Sequence, residues 1–348
     1  MKKILLFATL TLIVVSAVFT ACSKKEDFRE DEIAIVELEN GLVFRPASLK
    51  NQPIEFRLYD DNGDEITEAV VYYVDNVALE GNTFVSASEG TFEVFAEFLL
   101  DGEIVYTEVK TFSVVTPKVK TVVEDYTGTW CGYCPAVSAA IDNVYAQTNN
   151  ITTVAIHNND EMALPIEPAL RNEFGVFGFP SGRINRTTAW GSALNFPPSQ
   201  VTDLAGQNGT TAISINSSVS NGVLAVKVSV ASENELQNTK LVVYVTEDGI
   251  LSDQVNYFNN DQTSPYFGLG DPIVDFEQNH VLRASLSDAF GNLIPSTSAL
   301  TDYETNFSYE IPSAFVIENL SIVVMVVDME NNAINSQSAA VGENKFYE

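Results

Sequence analysis

Short runs in which apolar and polar residues alternate recur along most of the chain, and this pattern constrains the fold more than any other feature. Alternation with a period of two gives a strand one buried and one solvated side. Turn residues such as Asp61-Asn62-Gly63 separate the runs. In the first third of the chain the runs cover residues 33–38, 54–59, 70–74, 91–96 and 107–114. This spacing predicts an immunoglobulin-like β-sandwich over residues 32–116.

A second set of alternating runs begins near Thr210. These runs cover residues 212–215, 224–230, 240–245 and 321–327. They predict a C-terminal β-sandwich over residues 209–348. An aromatic, asparagine-rich segment over residues 256–279 interrupts them. We interpret its aromatic part, residues 257–267, as a lid on the sandwich core, with a recognition surface as the alternative.

Between these parts the pattern changes to that of an α/β unit. Residues 120–126 and 152–157 have the composition of buried strands, and residues 136–147 have helical apolar spacing. A strand-helix-strand order predicts an α/β domain, here over residues 117–208. The predicted fold class is therefore a multidomain α+β protein, with an Ig-like sandwich, a central α/β domain and a C-terminal sandwich.

The N-terminus has the features of an export signal. Lys2 and Lys3 precede an apolar run over residues 4–18, and small residues precede Cys22. The sequence Phe19-Thr20-Ala21-Cys22 resembles the lipobox of bacterial lipoproteins. This resemblance implies that residues 1–21 are a signal peptide and that a lipid on Cys22 anchors the chain to a membrane.

Residues 22–31 are charged, lack periodicity and predict a lipidated tether. Within them, Ser23-Lys24-Lys25-Glu26-Asp27 resembles the tag that sends lipoproteins of the Bacteroidetes to the cell surface. The expected location is the outer membrane, on the cell surface or on the periplasmic face. The formal net charge of −29 argues against a nucleic-acid partner and against a polybasic membrane patch.

The chain contains three cysteines, so a lipidated Cys22 leaves Cys131 and Cys134 as a pair. In an oxidising exported compartment this pair can form a disulfide. The pair lies between a predicted strand and a predicted helix, and Pro135 suits a first helical turn. The helix N-terminus would stabilise a thiolate, which predicts Cys131 as the exposed nucleophile and Cys134 as the resolving thiol. An inert structural disulfide remains the alternative.

The surroundings of the pair resemble the thioredoxin superfamily. Trp130 directly precedes the pair, and Asp125 stands six residues ahead of Cys131 on the strand. The segment 175–181 resembles the one around the cis-proline of that superfamily. The resemblance implies a thioredoxin-like domain in which Asp125 assists proton transfer. A structural strand acid is the alternative for this residue.

The same resemblance implies that Pro180 follows a cis peptide bond and shapes the substrate groove. Cis bonds are almost confined to proline. Trp130 and Phe179 would contact the substrate. Phe179 departs from the small or β-branched residue usual before this proline, which puts the substrate in question.

The whole arrangement also resembles the outer-membrane protein 28 family of Bacteroidetes lipoproteins. The resemblance rests on the leader with Cys22 and on residues 124–135, 154–157 and 279–283. It covers residues 118–342 and implies an architecture more than a reaction.

Other candidate sites give weaker expectations. No metal or cofactor is expected, because a zinc site needs about four ligands and the only histidines are His157 and His280. We interpret His157 as a core residue rather than a base. His280 and Arg283 predict local polar contacts, with a binding role as the alternative. Residues 60–65 predict a hairpin turn rather than a calcium loop.

Two functions follow from these observations. The leading hypothesis is thiol–disulfide exchange on exported proteins that carry thiols or disulfides, together with a redox partner that the sequence does not name. The alternative is a surface binding or adhesion lipoprotein with a structural Cys131–Cys134 disulfide and no catalysis.

Overall fold

The computed structural model describes residues 41–100, 102–192 and 194–348. The predicted leader, Cys22, the tether and the run at 33–38 lie outside these residues. Strands account for 46% of the described residues and helices for 8%. The helices are α1 (Pro135–Tyr145), α2 (Glu167–Glu173) and α3 (Ser199–Thr202), with a 3-10 turn at Ile317–Asn319. No helix in this part of the chain is long and apolar enough to cross a membrane.

Ten strands form the N-terminal region. They are β1 (Gly41–Val43), β2 (Ala47–Leu49), β3 (Ile54–Glu55), β4 (Arg57–Tyr59), β5 (Val71–Val74), β6 (Val77–Ala78), β7 (Thr83–Phe84), β8 (Gly90–Leu100), β9 (Glu103–Tyr106) and β10 (Lys110–Val115). A six-stranded sheet has the order β2-β10-β8-β5-β6, with β9 paired to β8, and the pairs β1–β4 and β3–β7 lie beside it. These sheets share one core, in which Phe56 and Phe112 are fully buried. The predicted turn at 60–65 is confirmed, since the Asp60 carboxylate accepts hydrogen bonds from the amides of Asn62 and Asp64.

The remaining strands belong to the larger part of the molecule. They are β11 (Thr121–Thr127), β12 (Ile151–His157), β13 (Ser181–Ile184), β14 (Thr188–Trp190), β15 (Thr211–Ser220), β16 (Val223–Ser232), β17 (Thr239–Glu247), β18 (Ile250–Gln254), β19 (Ile273–Gln278), β20 (Val281–Ser285), β21 (Asn292–Ile294), β22 (Tyr303–Glu310), β23 (Leu320–Val327) and β24 (Ala333–Ala340). A nine-stranded sheet runs β14-β13-β11-β12-β20-β17-β23-β24, with β21 paired to β17. The strands β15, β16 and β22 form a separate three-stranded sheet, and β18 pairs with β19.

The three-stranded sheet packs against the C-terminal strands of the nine-stranded sheet. Apolar residues that alternate along β15 and β16, such as Ile215 and Val228, meet those of β17 and β23, such as Val243 and Val324. Each such fully buried side chain stabilises the fold by roughly 1.5–3 kcal/mol relative to exposure. This core explains why the alternating runs after residue 210 were recognisable in the sequence.

Strand β11 is buried along its whole length because both of its faces are covered. Helix α1 presents Val137, Ile141 and Val144 at helical spacing to one face. On the other face, Val122 and Tyr126 pack in a core with α2 and the C-terminal strands. Such a strand favours apolar and β-branched residues, which β11 has at 121–123, whereas the buried Glu124 and Asp125 depart from this composition.

The predicted fold class is wrong. The chain is mostly β, and in the described residues 117–208 there is no separate thioredoxin-like α/β domain. The strands β11 to β14 continue into the C-terminal strands, because β12 pairs in parallel with β20 and the amide of Ala155 donates to the carbonyl of His280 at 2.7 Å. A strand edge carries unpaired backbone groups, so a neighbouring strand extends the sheet. The predicted Ig-like character of the N-terminal region is not supported either. The domain boundaries stay a prediction.

Candidate functional site

A disulfide joins Cys131 and Cys134 in the connection between β11 and α1, with a Cα–Cα distance of 5.4 Å. Strand β11 ends at Thr127, and α1 begins at Pro135 directly behind Cys134. The predicted disulfide is therefore present. Both cysteines are buried, with exposed fractions of 4% and 1%. The predicted exposure of Cys131 is wrong in this conformation.

Local hydrogen bonds fix the loop that carries the disulfide. The amide of Cys131 donates to the carbonyl of Gly128 at 3.0 Å, and the indole nitrogen of Trp130 donates to the carbonyl of Asn158 at 2.7 Å. The amide of Thr129 donates to Asp160 Oδ2 at 2.9 Å. These bonds tie the loop to the segment that follows β12.

His157 supports the same arrangement from the end of β12. Its Nδ1 lies 2.8 Å from Asp160 Oδ2, and its side chain is buried. Burial acts to raise the pKa of Asp160, but hydrogen bonds from His157 and from the amides of Thr129 and Met162 outweigh burial and lower it. His157 thus orients a carboxylate that holds the disulfide loop.

Residues 254–258, which we call the cover segment, lie against the disulfide loop. The amide of Val255 donates to the carbonyl of Thr129, and the amide of Tyr257 donates to that of Gly132, both at 2.9 Å. The buried Gln254 side chain donates through Nε2 to the carbonyl of Cys131 at 3.0 Å. The cover segment, which belongs to the C-terminal half of the chain, therefore donates hydrogen bonds to three carbonyl groups of the disulfide loop.

Aromatic rings complete this cover. A Cβ atom placed on Gly132 would lie 2.5 Å from the ring of Tyr257, so only glycine fits at this position. The ring of Tyr133 meets those of Tyr257 and Phe258 edge-on, with centroid distances of 5.0 and 5.7 Å. The intervening residues Gly132 and Tyr133 thus serve as the contact surface for the cover segment.

Beside the disulfide loop lies the segment that contains Pro180. The Phe179–Pro180 peptide bond is cis, as predicted. The rings of Phe179 and Trp130 contact each other edge-on at 5.4 Å. Trp130 remains 43% exposed, and Phe177 is 94% exposed. The structure therefore brings Cys131, Cys134, Trp130, Phe179 and Pro180 into one region.

Asp125 lies on β11 opposite Ala155 of β12 and Gly182 of β13. Its side chain is buried, and its Oδ1 has no hydrogen-bond partner. Burial raises the pKa of this carboxyl to about 8. Asp125 lines a cavity of about 400 Å³ between α1 and the β19 region. This cavity is the environment in which the predicted proton-transfer residue lies.

Sequence reasoning missed the cover segment as part of the site. The sequence predicts the aromatic residues 257–267 to be a lid on the sandwich core, but Tyr257 and Phe258 cover the disulfide loop instead. The density of aromatic residues was the available indication.

His280 and Arg283 make the predicted polar contacts, with Asp248 at 3.3 Å and with Glu247 at 3.1 Å. Among the described residues, no group of three or more His, Cys, Asp and Glu side chains could hold a metal ion.

The fold and the site define a mostly β protein in which a segment of the C-terminal half covers a buried Cys-x-x-Cys disulfide. Residues 167–345 match the model of the Omp28 outer membrane protein family. This match spans more than half of the chain. The protein therefore belongs to the Omp28 family of outer-membrane lipoproteins, which confirms its location at the outer membrane.

Solved structures add information on the fold. HBP35 of Porphyromonas gingivalis is 18% identical over 66% of this chain and 78% of its own, with a TM-score of 0.52. A domain of the outer membrane lipoprotein Omp28 from Porphyromonas gingivalis is 20% identical over 38% of this chain and 88% of its own, with a TM-score of 0.25. No curated protein matches the chain. The likeness to HBP35 concerns the fold alone.

Proposed function

We propose that this protein is a surface binding lipoprotein of the outer membrane in which the Cys131–Cys134 disulfide is structural. The observation that carries the proposal is the burial of both cysteines beneath the cover segment. Thiol–disulfide exchange requires a thiolate to reach a sulfur atom. In the observed arrangement the cover segment restricts that approach.

The disulfide has a role in this arrangement that requires no catalysis. By closing the turn before α1, it fixes the directions of the carbonyl groups of Thr129, Cys131 and Gly132. These are the groups to which the cover segment donates its hydrogen bonds. The disulfide thus supports the hydrogen bonds by which the loop after β11 holds a segment more than a hundred residues away.

Exposed aromatic rings around the covered disulfide favour a binding role. Trp130, Tyr133 and Tyr257 are 43%, 44% and 59% exposed, and Phe177 is almost fully exposed. Aromatic side chains dominate the energetic centres of protein interfaces. The proposed partner class is an exported or surface protein that contacts these rings.

Lipidation of Cys22 is part of the proposal, and the mass of the N-terminal peptide of the native protein tests it.

A redox titration tests the structural role of the disulfide. The full chain without residues 1–21, with Cys22→Ser, is equilibrated in dithiothreitol buffers, and alkylation with mass spectrometry counts free thiols. A potential below about −300 mV is expected for a structural bond, whereas catalytic dithiols lie between about −120 and −270 mV. A value in the catalytic range would overturn the proposal.

A second candidate function is thiol–disulfide exchange. It is favoured by the position of the cysteines, because α1 begins directly behind Cys134 and the positive end of the helix dipole favours a thiolate there. In this reaction a redox partner that carries thiols first reduces the Cys131–Cys134 disulfide and is itself oxidised. The Cys131 thiolate then attacks a substrate disulfide and releases one substrate thiolate. Cys134 then attacks the mixed disulfide, which releases the second substrate thiol and leaves Cys131–Cys134 oxidised. The ionised form of Asp125, which predominates above its pKa of about 8, would accept the proton of Cys134. Trp130, Phe179 and Pro180 would lie at the substrate.

Trapping with a Cys134→Ser variant separates the two functions. A reaction through Cys131 would leave exported proteins attached to the variant as mixed disulfides that dithiothreitol removes. Cys131→Ser is the matched control and should trap much less. For a structural disulfide we expect neither variant to trap partners above the level of the doubly substituted chain.

A further inference from the structure

The cavity beside Asp125 has walls from three parts of the fold. Strands β11 and β12 contribute Asp125 and Thr153, helix α1 contributes Ser138 and Asp142, and the region after the cover segment contributes Tyr266. Its volume of about 400 Å³ lies within the usual range for small-molecule sites. Asp125 is buried whereas Asp142 is exposed, so the cavity leads from solvent to the Asp125 carboxyl.

Most titratable side chains that line the cavity are acidic. Asp125, Asp142 and Glu277 line it, and no lysine or arginine occurs among the lining residues that the structure describes. Burial lowers the pKa of His280, the basic side chain of the wall, although Asp248 and Asp142 oppose this effect. Burial, with Asp142 and Asp125 nearby, raises the pKa of Tyr266. The cavity therefore lacks a cation of its own.

The carboxyl group of Asp125 lines the buried end of this cavity, and the residue is 3% exposed. Its Oδ1 has no hydrogen-bond partner and almost no accessible surface. Leaving a buried polar atom unpaired costs roughly 1–3 kcal/mol. A charged donor that a ligand brings to this carboxyl group would offset such a cost.

We propose that the cavity binds a small organic cation whose primary ammonium group donates a hydrogen bond to the carboxylate of Asp125. An ammonium group has three donors and no acceptor, and hydroxyl groups of the wall such as Ser138 can accept the others. The rings of Tyr266 and Phe276, 5.8 Å apart, offer aromatic surface to the cation and to its alkyl part. The inference deepens the proposed binding function by naming a ligand class.

A metal ion fits this cavity less well than an ammonium group. Hard cations such as calcium take about six to eight oxygen ligands, often several of them carboxylates. Here one carboxyl group lies at the buried end, and the described residues contain no group of three or more metal-binding side chains. The single buried acceptor matches a ligand with one charged head.

Calorimetric titration with n-butylamine tests the proposal on the chain without residues 1–21 and with Cys22→Ser. We expect saturable binding with a Kd on the order of 1 mM, at least about tenfold tighter than for n-butanol. Butyrate should not bind. Equal affinity for butanol, or no heat from the amine, would overturn the inference.

Proton release gives a second readout. With a pKa of about 8, Asp125 holds a proton near neutral pH, and an ammonium ion requires its ionised form. Binding should therefore release close to one proton, measured from the heats in buffers of different ionisation enthalpy. Affinity for butylammonium should rise from about pH 6 to about pH 9. A flat pH profile of the unmodified chain would contradict a contact with Asp125.

Matched variants locate the site. Asp125→Asn should weaken butylamine binding at least about tenfold and abolish proton release. Asparagine is similar in shape to aspartate but carries no negative charge. Asp61→Asn, an exposed acid of the N-terminal turn, should change neither. Unaltered binding by Asp125→Asn would contradict the proposal. The redox titration is independent of this result, so a catalytic potential with intact amine binding would reject the structural disulfide alone.

Discussion

Two neighbouring carboxyl groups on β11 have opposite environments. Glu124 and Asp125 point to opposite faces of the strand, and both are buried. Glu124 accepts hydrogen bonds from Arg186 Nε at 3.1 Å and from the hydroxyl of Tyr126 at 3.2 Å. Arg186 also donates to the hydroxyl of Tyr244 at 3.0 Å. On the Asp125 side, no such partner meets the carboxyl oxygen Oδ1.

The difference separates a structural role from a functional one. A buried charge remains stable when it is paired and hydrogen-bonded, and the Glu124–Arg186 pair meets this condition across β11 and the turn after β13. An unpaired buried carboxyl group instead destabilises the fold. Asp125 is such a group, and it lines a cavity in which a ligand can lie. Glu124 thus joins two parts of the sheet, whereas Asp125 provides an unused acceptor.

The largest expected effect comes from breaking the paired side. Glu124→Gln leaves the Arg186 charge buried without a counter-ion, which should lower the free energy of unfolding by about 3–5 kcal/mol. Urea unfolding at neutral pH measures this loss. Glu124→Leu combined with Arg186→Met should recover most of it. A loss below about 1 kcal/mol would show that the pair is not needed.

Asp125→Asn should have the opposite effect and depend on pH. The folded-state pKa of about 8 lies above the ordinary value of 3.8, so the unmodified protein loses stability as pH rises between these values. At about 1.4 kcal/mol per pKa unit, the stabilisation by Asn should be about 4 kcal/mol greater near pH 9 than near pH 5. Thermal unfolding of both proteins across pH measures the difference. Parallel pH profiles would show that Asp125 ionises normally in the folded protein.

The smallest expected effect concerns the cover segment. Tyr257→Ala removes the ring that lies over Gly132, so dithiothreitol should reduce the disulfide about tenfold faster, which corresponds to about 1.4 kcal/mol. Quenched alkylation measures the rate. Phe267→Ala, which alters a half-exposed ring of the same loop, should leave the rate unchanged. Equal rates for Tyr257→Ala and the unmodified chain would place the barrier to reduction elsewhere.

The local features of the fold could be predicted from the sequence alone. The alternating runs predicted the strands that became β5, β8, β10 and β15 to β17, because alternation depends on neighbouring residues only. The helix after the cysteines, the disulfide and the cis bond at Pro180 were also predicted. Turn residues, helical spacing and family resemblance carry this information within short segments.

The tertiary structure decided how these segments combine. The joining of β12 to β20, the contact of Gln254 with Cys131 over 123 residues and the pairing of Glu124 with Arg186 over 62 residues have no counterpart in local patterns. Strand edges and buried charges select partners by position in space. The sequence by itself was therefore enough to predict many of the strands and the disulfide. It also predicts the export signal. Which carboxyl is paired, and what covers the disulfide, depended on contacts between distant residues.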